Sequence, residues 1–193
     1  MPEALIVGGP NGAGKSTFAL EYLQERDLRY LSADRIAVEL NPEAPEEAKI
    51  QAGKVFFRRL NQAIEDGEDL VVESTLAGRG MGRIIERIGE KGYMLRIAFL
   101  FLDTPEMCVR RVKQRVRRGG HDVPRPDIIR RFYRSIWNFW TVYRKRGDQW
   151  YLFSNTEDRF QQVAFGEEAE QVVLEETLFD AFQELVSSAD EYT

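Results

Sequence analysis

One cysteine, Cys108, stands in a chain of 193 residues, so an intramolecular disulfide framework is excluded. A lone thiol of this kind suits a reducing compartment and is ordinarily a small core residue. His121 is the only histidine, which excludes a metal cluster built on histidines. No stretch is long and apolar enough to span a bilayer. The apolar run 4–7 begins after three residues and leads straight into a glycine-rich loop, leaving no room for a signal peptide; a cytoplasmic protein is expected. Internal repeats, low-complexity tracts and linkers are missing as well. One domain over 1–193 is the expectation, since 43% hydrophobic and 31% charged residues suffice for one sizeable core.

What is present is unevenly spread. The formal net charge is -5, yet residues 79–146 carry 18 Lys or Arg against 6 Asp or Glu, and the remainder carries 9 against 26. The middle of the chain is therefore equipped to handle anions. An acidic protein with a local arginine cluster fits a phosphate-bearing small ligand and makes a nucleic-acid coat an unsuitable reading.

Short apolar runs at 5–7, 28–31, 70–72, 94–102 and 150–153 alternate with helix-like stretches, the pattern of βα units around a parallel sheet. The near-continuous runs 70–72 and 97–102 suit strands buried on both faces. Thr104 can cap a helix with Pro105 at its first position and Glu106 in its first turn, and Gly119 with Gly120 then stops it. A further helix should carry the apolar stripe Ile129, Phe132, Ile136 and Phe139 or Trp140. Past Asn155 the chain turns acidic, and 162–165 with 171–174 reads as a hairpin before a last amphipathic helix, 178–186. These form a C-terminal appendage over about 157–193 in this reading.

The segment Gly9-Pro10-Asn11-Gly12-Ala13-Gly14-Lys15-Ser16-Thr17 satisfies G-x-x-x-x-G-K-[ST] and lies between a strand and a helical stretch. Its glycines let successive backbone N–H groups curl around phosphate oxygens. Lys15 then reaches the β- and γ-phosphates, and Ser16 offers its hydroxyl to magnesium at a helix N-terminus. Mg-ATP is the implied ligand. This loop serves kinases, GTPases, motor ATPases and ABC subunits alike. No LSGGQ-like signature, DxxG switch or NKxD base reader appears, and those classes fall.

Asp34 closes the second strand, where a carboxylate can take the proton of an attacking hydroxyl; its other reading is an N-cap for the helix 35–39. Glu73 closes the third, as a holder of a magnesium-bound water or a substrate hydroxyl, or as a plain strand-end acid. On the helix after Thr104, Arg111, Arg115 and Arg118 share one face, and Arg130, Arg131 and Arg134 open the next helix. Together, over about 108–131, they form an arginine lid from which Arg115 and Arg131 are singled out for phosphate contact. His121 reads as a turn residue, with ligand contact as its other reading, and Trp137, Phe139, Trp140, Tyr143 and Trp150 read as core, with a base- or sugar-stacking surface as the alternative.

In these residues the chain resembles the zeta-toxin-like family of phosphate-loop kinases, in particular a chromosomal branch often described as predicted ABC-type ATPases. The carriers are the loop from Gly8 to Thr17, Ala33-Asp34-Arg35, Glu73-Ser74-Thr75-Leu76-Ala77-Gly78, Leu100-Phe101-Leu102-Asp103-Thr104-Pro105-Glu106, Arg115, Gly119-Gly120-His121-Asp122-Val123-Pro124, Arg131 and Ser154-Asn155. The resemblance implies a three-layer α/β/α phosphate-loop fold with a five-stranded, mainly parallel sheet in the order 2-3-1-4-5. It further implies Asp34 as base, Lys15, Arg115 and Arg131 around the transferring phosphate, Asn155 near the adenine, and Asp34, Glu73, Thr75 and Arg79 on the substrate side. Zeta toxins phosphorylate the 3′-hydroxyl of the amino sugar of UDP-N-acetylglucosamine, and an antitoxin covers their ATP site. They carry Gly-Thr-Leu-Arg after the third strand, where this chain has Ser74-Thr75-Leu76-Ala77 and an arginine only at Arg79. The expected activity is ATP-dependent phosphorylation of a small-molecule hydroxyl. A nucleoside, nucleotide or antibiotic kinase, or a nucleotide-dependent binding switch with weak ATPase activity, stands as the alternative.

Overall fold

The computed structural model describes residues 1–192 apart from 25, 27, 168 and 169. In chain order, its first half holds β1 (Glu3–Gly8), α1 (Lys15–Leu23), β2 (Arg29–Leu31), α2 (Ala33–Leu40), α3 (Lys49–Glu65), β3 (Leu70–Ser74), α4 (Gly80–Glu90) and β4 (Met94–Phe101). Its second half holds α5 (Pro105–Arg117), α6 (Arg125–Asn138) with a π-helical turn (Phe139–Tyr143), β5 (Gln149–Ser154), β6 (Gln161–Glu167), β7 (Glu170–Val173) and α7 (Glu176–Ala189).

The central strands are apolar on both faces because helices cover both faces of a parallel sheet. Ala4, Ile6 and Val7 of β1, Leu70 to Val72 of β3 and Ile97 to Phe101 of β4 are all buried. In register, Ile6 sits between Val72 and Ile97. The sheet order is β2-β3-β1-β4-β5-β6-β7. Its first five strands are parallel and follow the expected 2-3-1-4-5 order within a three-layer α/β/α fold. Parallel pairing gathers the carboxyl ends of β1 to β5 along one edge, and that edge positions the site.

Two antiparallel strands then extend the sheet to seven. β6 pairs with β5, Leu152 facing Ala164, and β7 pairs with β6, Phe165 facing Val172. The acidic C-terminal segment expected as an appendage is therefore built into the main sheet. Its helix is built in too: Phe182 on α7 is fully buried, with its ring 5.0 Å from Phe101 and 5.6 Å from Trp140. Phe99 and Phe139 stack at 4.3 Å in the same layer; Phe139, Tyr143 and Trp150 are core, and Trp137 and Trp140 pack partly buried against it.

Local signals behave as their chemistry dictates. Thr104 Oγ1 accepts from Met107 N at 3.3 Å at the start of α5, with Pro105 behind it. At the other end Gly119 takes φ +84, and Gly119 and Gly120 N–H donate back to Val116 and Arg115 carbonyls. On α6 the buried stripe is Ile128, Phe132, Ile136 and Phe139, so Ile128 takes the place expected for Ile129. A spacing of four from Ile128 to Phe132 to Ile136 keeps one face of a 3.6-residue helix inward. Ser32, not Asp34, is the N-cap of α2, and Ile36 N donates to its carbonyl at 3.1 Å. Asp34 lies in the first turn with its side chain half exposed.

Candidate active site

The loop between β1 and α1 bends through three glycines in the left-handed region, Gly9 (φ +141), Gly12 (φ +82) and Gly14 (φ +92). Two of them also have no room for a side chain. A Cβ on Gly9 would lie 2.3 Å from the Leu100 carbonyl oxygen, and one on Gly14 would lie 2.5 Å from Asn155 Nδ2. Gly9, Pro10 and Ala13 are buried behind the loop, whereas Asn11, Gly12, Gly14, Lys15, Ser16 and Thr17 line the cleft in front of it.

Lys15 opens α1, and its buried ammonium donates to the Pro10 carbonyl at 3.0 Å across the loop. Burial lowers its pKa, while the carboxylates of Glu73 and Asp34 act in the opposite sense. Ser16 Oγ donates to Glu73 Oε2 at 2.9 Å, and Tyr30 OH donates to the same oxygen at 2.5 Å. Burial, and then the Glu73 charge, push the Tyr30 phenol well above its ordinary value, so it stays a donor.

The cleft that these residues open into has a volume of about 1110 Å³. Asp34, Glu73, Thr75, Arg115 and Arg131 all line it, together with the apolar side chains of Phe56, Phe57 and Met81 at the α3 and α4 end. Arg131 Nη1 approaches Asn11 Oδ1 at 3.4 Å, which sets it beside the loop. Arg115 donates from Nη2 to the His121 carbonyl at 2.9 Å, and its Nε is buried without a partner among the described residues. Thr75 Oγ1 accepts from Ala77 N at 3.4 Å. Arg79 is exposed at the N-cap of α4 and does not line the cleft, although Gly78 and Gly80 on either side of it do.

Asn155, expected near the adenine, follows β5 directly and is buried against the loop. Its Nδ2 donates to the Ala13 carbonyl at 3.0 Å, so its amide braces the loop's path. Arg111 clamps the same corner, donating from Nη2 to the Asn155 carbonyl and to Asp158 Oδ1, both at 2.6 Å. Cys108 lies beneath, and burial raises its thiol pKa to about 12, in keeping with a core role.

Sequence reasoning missed Tyr30, Phe56 and Phe57. Tyr30 belongs to a three-residue strand with no pattern that separates a functional phenol from a packing one. The two phenylalanines drew no sequence reading; both border the cleft from α3, Phe56 buried and Phe57 exposed.

The fold is that of a kinase-type phosphate-loop protein. The chain belongs to the AAA domain family (AAA_33), whose model matches residues 5–130. It is 30% identical over 131 residues to an uncharacterized protein of Haemophilus influenzae, spanning 68% of this chain and 92% of that one. Over 85 residues it is 40% identical to a cytidylate kinase of Haloquadratum walsbyi, spanning 38% of this chain and 43% of the kinase. Its fold is similar to a chain of the PezAT chromosomal toxin-antitoxin system of Streptococcus pneumoniae, with a TM-score of 0.66 and 18% identity, over 100% of this chain and 86% of that chain. An AvrRxo1-ORF1:-ORF2 complex solved with ATP superimposes with a TM-score of 0.75 at 17% identity, over 94% of this chain and 63% of the other. The chain thus spans less than two thirds of the cytidylate kinase and of the AvrRxo1 chain. At these identities the structural likeness establishes the fold, and the zeta-toxin-like resemblance of the motifs holds. Among the described residues no helix is long and apolar enough to cross a membrane.

Proposed function

We propose that this protein is an ATP-dependent phosphotransferase that moves the γ-phosphoryl group of Mg-ATP to a hydroxyl of a small molecule. The observation that carries the reading is the convergence of Lys15, the Ser16–Glu73 pair, Asp34, Arg115 and Arg131 on one cleft. The cradle suits phosphate, because Gly12 and Gly14 leave their N–H groups uncovered by any Cβ and Lys15 brings a buried cation. A serine hydroxyl backed by a carboxylate suits magnesium, which keeps several waters and takes one or two protein oxygens.

In this reading ATP supplies the phosphoryl group, and the chain's residues do the positioning. Lys15 and the loop N–H groups grip the donor phosphates. Asp34 lies across the cleft, where its carboxylate accepts the acceptor's proton as the new O–P bond forms and the bond to ADP breaks. Arg115 and Arg131 neutralise the oxygens of the group in flight. Glu73 and Thr75 face the acceptor end, where Phe56, Phe57 and Met81 offer an apolar wall. UDP-N-acetylglucosamine is the first acceptor to try, on the strength of the motif resemblance. The protein is read as cytoplasmic, where Mg-ATP is supplied. An antitoxin-type partner belongs to the same reading, supported by the similar fold in a toxin-antitoxin system.

Incubation with γ-labelled Mg-ATP and either UDP-N-acetylglucosamine or a metabolite extract should yield a labelled small molecule. Asp34→Asn should lower that transfer by on the order of 10² to 10⁴-fold, with ATP affinity nearly unchanged. Slow hydrolysis that no acceptor accelerates would instead favour a nucleotide-dependent switch. Loss of ATP binding in Asp34→Asn would sink the assignment of the base.

A further inference from the structure

The lid loop between α5 and α6 meets polar groups of both α5 and α2 through one residue, hydrogen-bonded to the first and in a longer contact with the second. Toward α5, the His121 carbonyl accepts from Arg115 Nη2 at 2.9 Å. Toward α2, His121 Nδ1 lies 3.7 Å from Asp34 Oδ2. The next residue adds a third tie, because the Asp122 carbonyl accepts from Lys49 Nζ on α3 at 3.1 Å.

The loop reaches this position for local reasons. Gly119 takes the left-handed conformation that ends α5. Gly120 then passes so close to Arg115 that a Cβ there would lie 2.5 Å from Arg115 Cγ and 3.1 Å from its carbonyl oxygen. Asp122 Oδ1 accepts from Val123 N at 2.8 Å, and Val123 is buried. His121 is consequently pressed inward, with its side chain only 11% exposed. The charged groups facing it are Asp34, Arg115, Lys49 and Glu46.

We infer that His121 is a positioning residue for Asp34: its Nδ1–H holds Asp34 Oδ2 and leaves Oδ1 for the acceptor hydroxyl, while its carbonyl seats Arg115. The inference rests on the proposed role of Asp34 as base. A separation of 3.7 Å is longer than a hydrogen bond, as catalytic contacts often are before substrate binds. The loop thereby couples the base on one wall of the cleft to a phosphate-gripping arginine on the other.

Because His121 is the only histidine, the imidazole nitrogen spectrum of the whole protein reports on it alone. At neutral pH with Mg-ADP bound, the Nδ1–H tautomer is expected, and Asp34→Asn should abolish that preference. An Nε2–H tautomer unaffected by Asp34→Asn overturns the inference. The kinetic arm uses Mg-ATP with water as acceptor. His121→Leu should lower the rate of γ-phosphate release at saturation by on the order of a hundredfold, leaving the concentration for half-saturation nearly unchanged. His121→Asn, whose amide N–H stands where Nδ1–H was, should recover most of the loss. Equal rates for His121→Leu and wild type, beside a dead Asp34→Asn, overturn the positioning role alone. Full activity in Asp34→Asn overturns the base assignment and this inference with it. Should His121→Leu fail to fold, the tautomer measurement still decides.

Discussion

The hydroxyl of Tyr30 lies 2.5 Å from Glu73 Oε2, on the same oxygen that accepts from Ser16 Oγ at 2.9 Å. A strand-end carboxylate is thus held by β2 and α1 together, and in the proposed function its second oxygen serves a hydrated cation or the acceptor. Tyr30→Phe should leave the fold intact and remove one hydrogen bond to a charged group, worth about 1.5 to 3 kcal/mol. The expected outcome is a higher magnesium requirement for ATP-induced thermal stabilisation, read by titrating Mg²⁺ at fixed ATP. An unchanged requirement would detach Tyr30 from the cation site.

Lys15 is buried, donates to the Pro10 carbonyl at 3.0 Å, and burial lowers its pKa. A buried ammonium costs stability that an apolar side chain of similar length does not. Lys15→Met should therefore unfold at an equal or higher temperature than wild type in the absence of nucleotide. The rise in unfolding temperature on adding Mg-ATP, a linkage of about 2.7 kcal/mol at a hundredfold excess over Kd, should vanish. Thermal scans with and without nucleotide separate the two effects.

Phe182 joins the C-terminal helix to the aromatic layer beside β4 and the π-helical turn. Phe182→Ala should cost about 3 to 5 kcal/mol, measured by urea unfolding. A stop after Thr156 should leave no folded protein, because β5 loses its antiparallel partner β6 and the rings of Phe99, Phe101 and Phe139 lose their cover. A truncated chain that folds would show that the parallel five-stranded core stands alone.

Burial pushes the His121 pKa below its ordinary value of 6.5, with Asp34 opposing and Arg115 and Lys49 reinforcing the shift. The folded protein then binds fewer protons at this site than the unfolded chain does, so its contribution to stability rises with pH. On acidification that contribution is lost from about 6.5 downward, until the folded-state value is passed. The difference in unfolding free energy between wild type and His121→Asn should follow this curve and be flat above pH 8.

The fold was legible wherever one local signal decided the matter. Val7 in an apolar strand followed by Gly9, Gly12 and Gly14 specified the loop, and Thr104 with Pro105 specified the start of α5. Errors fell where geometry chooses between neighbours. Ile128 displaced Ile129 because helix phase is set by what α6 packs against. Asp34's alternative reading as a cap falls to Ser32 because α2 begins at Ala33, two residues before the expected 35–39. Arg79 has the charge of a substrate clamp, yet it stands exposed between two residues that line the cleft.

The amino-acid order by itself determined the nucleotide loop, the alternation of strands and helices around a parallel sheet, and the set of acids and arginines available for chemistry. These follow from backbone freedom, apolar periodicity and side-chain type, all of which act over a few residues. Only the tertiary structure decided which of them meet: Tyr30 with Glu73, Asn155 with Ala13, His121 with both Arg115 and Asp34. It also decided that the acidic C-terminal segment completes the sheet, since strand pairing and ring packing join residues far apart in the chain. Such contacts depend on how layers stack, and no short stretch of sequence carries that information.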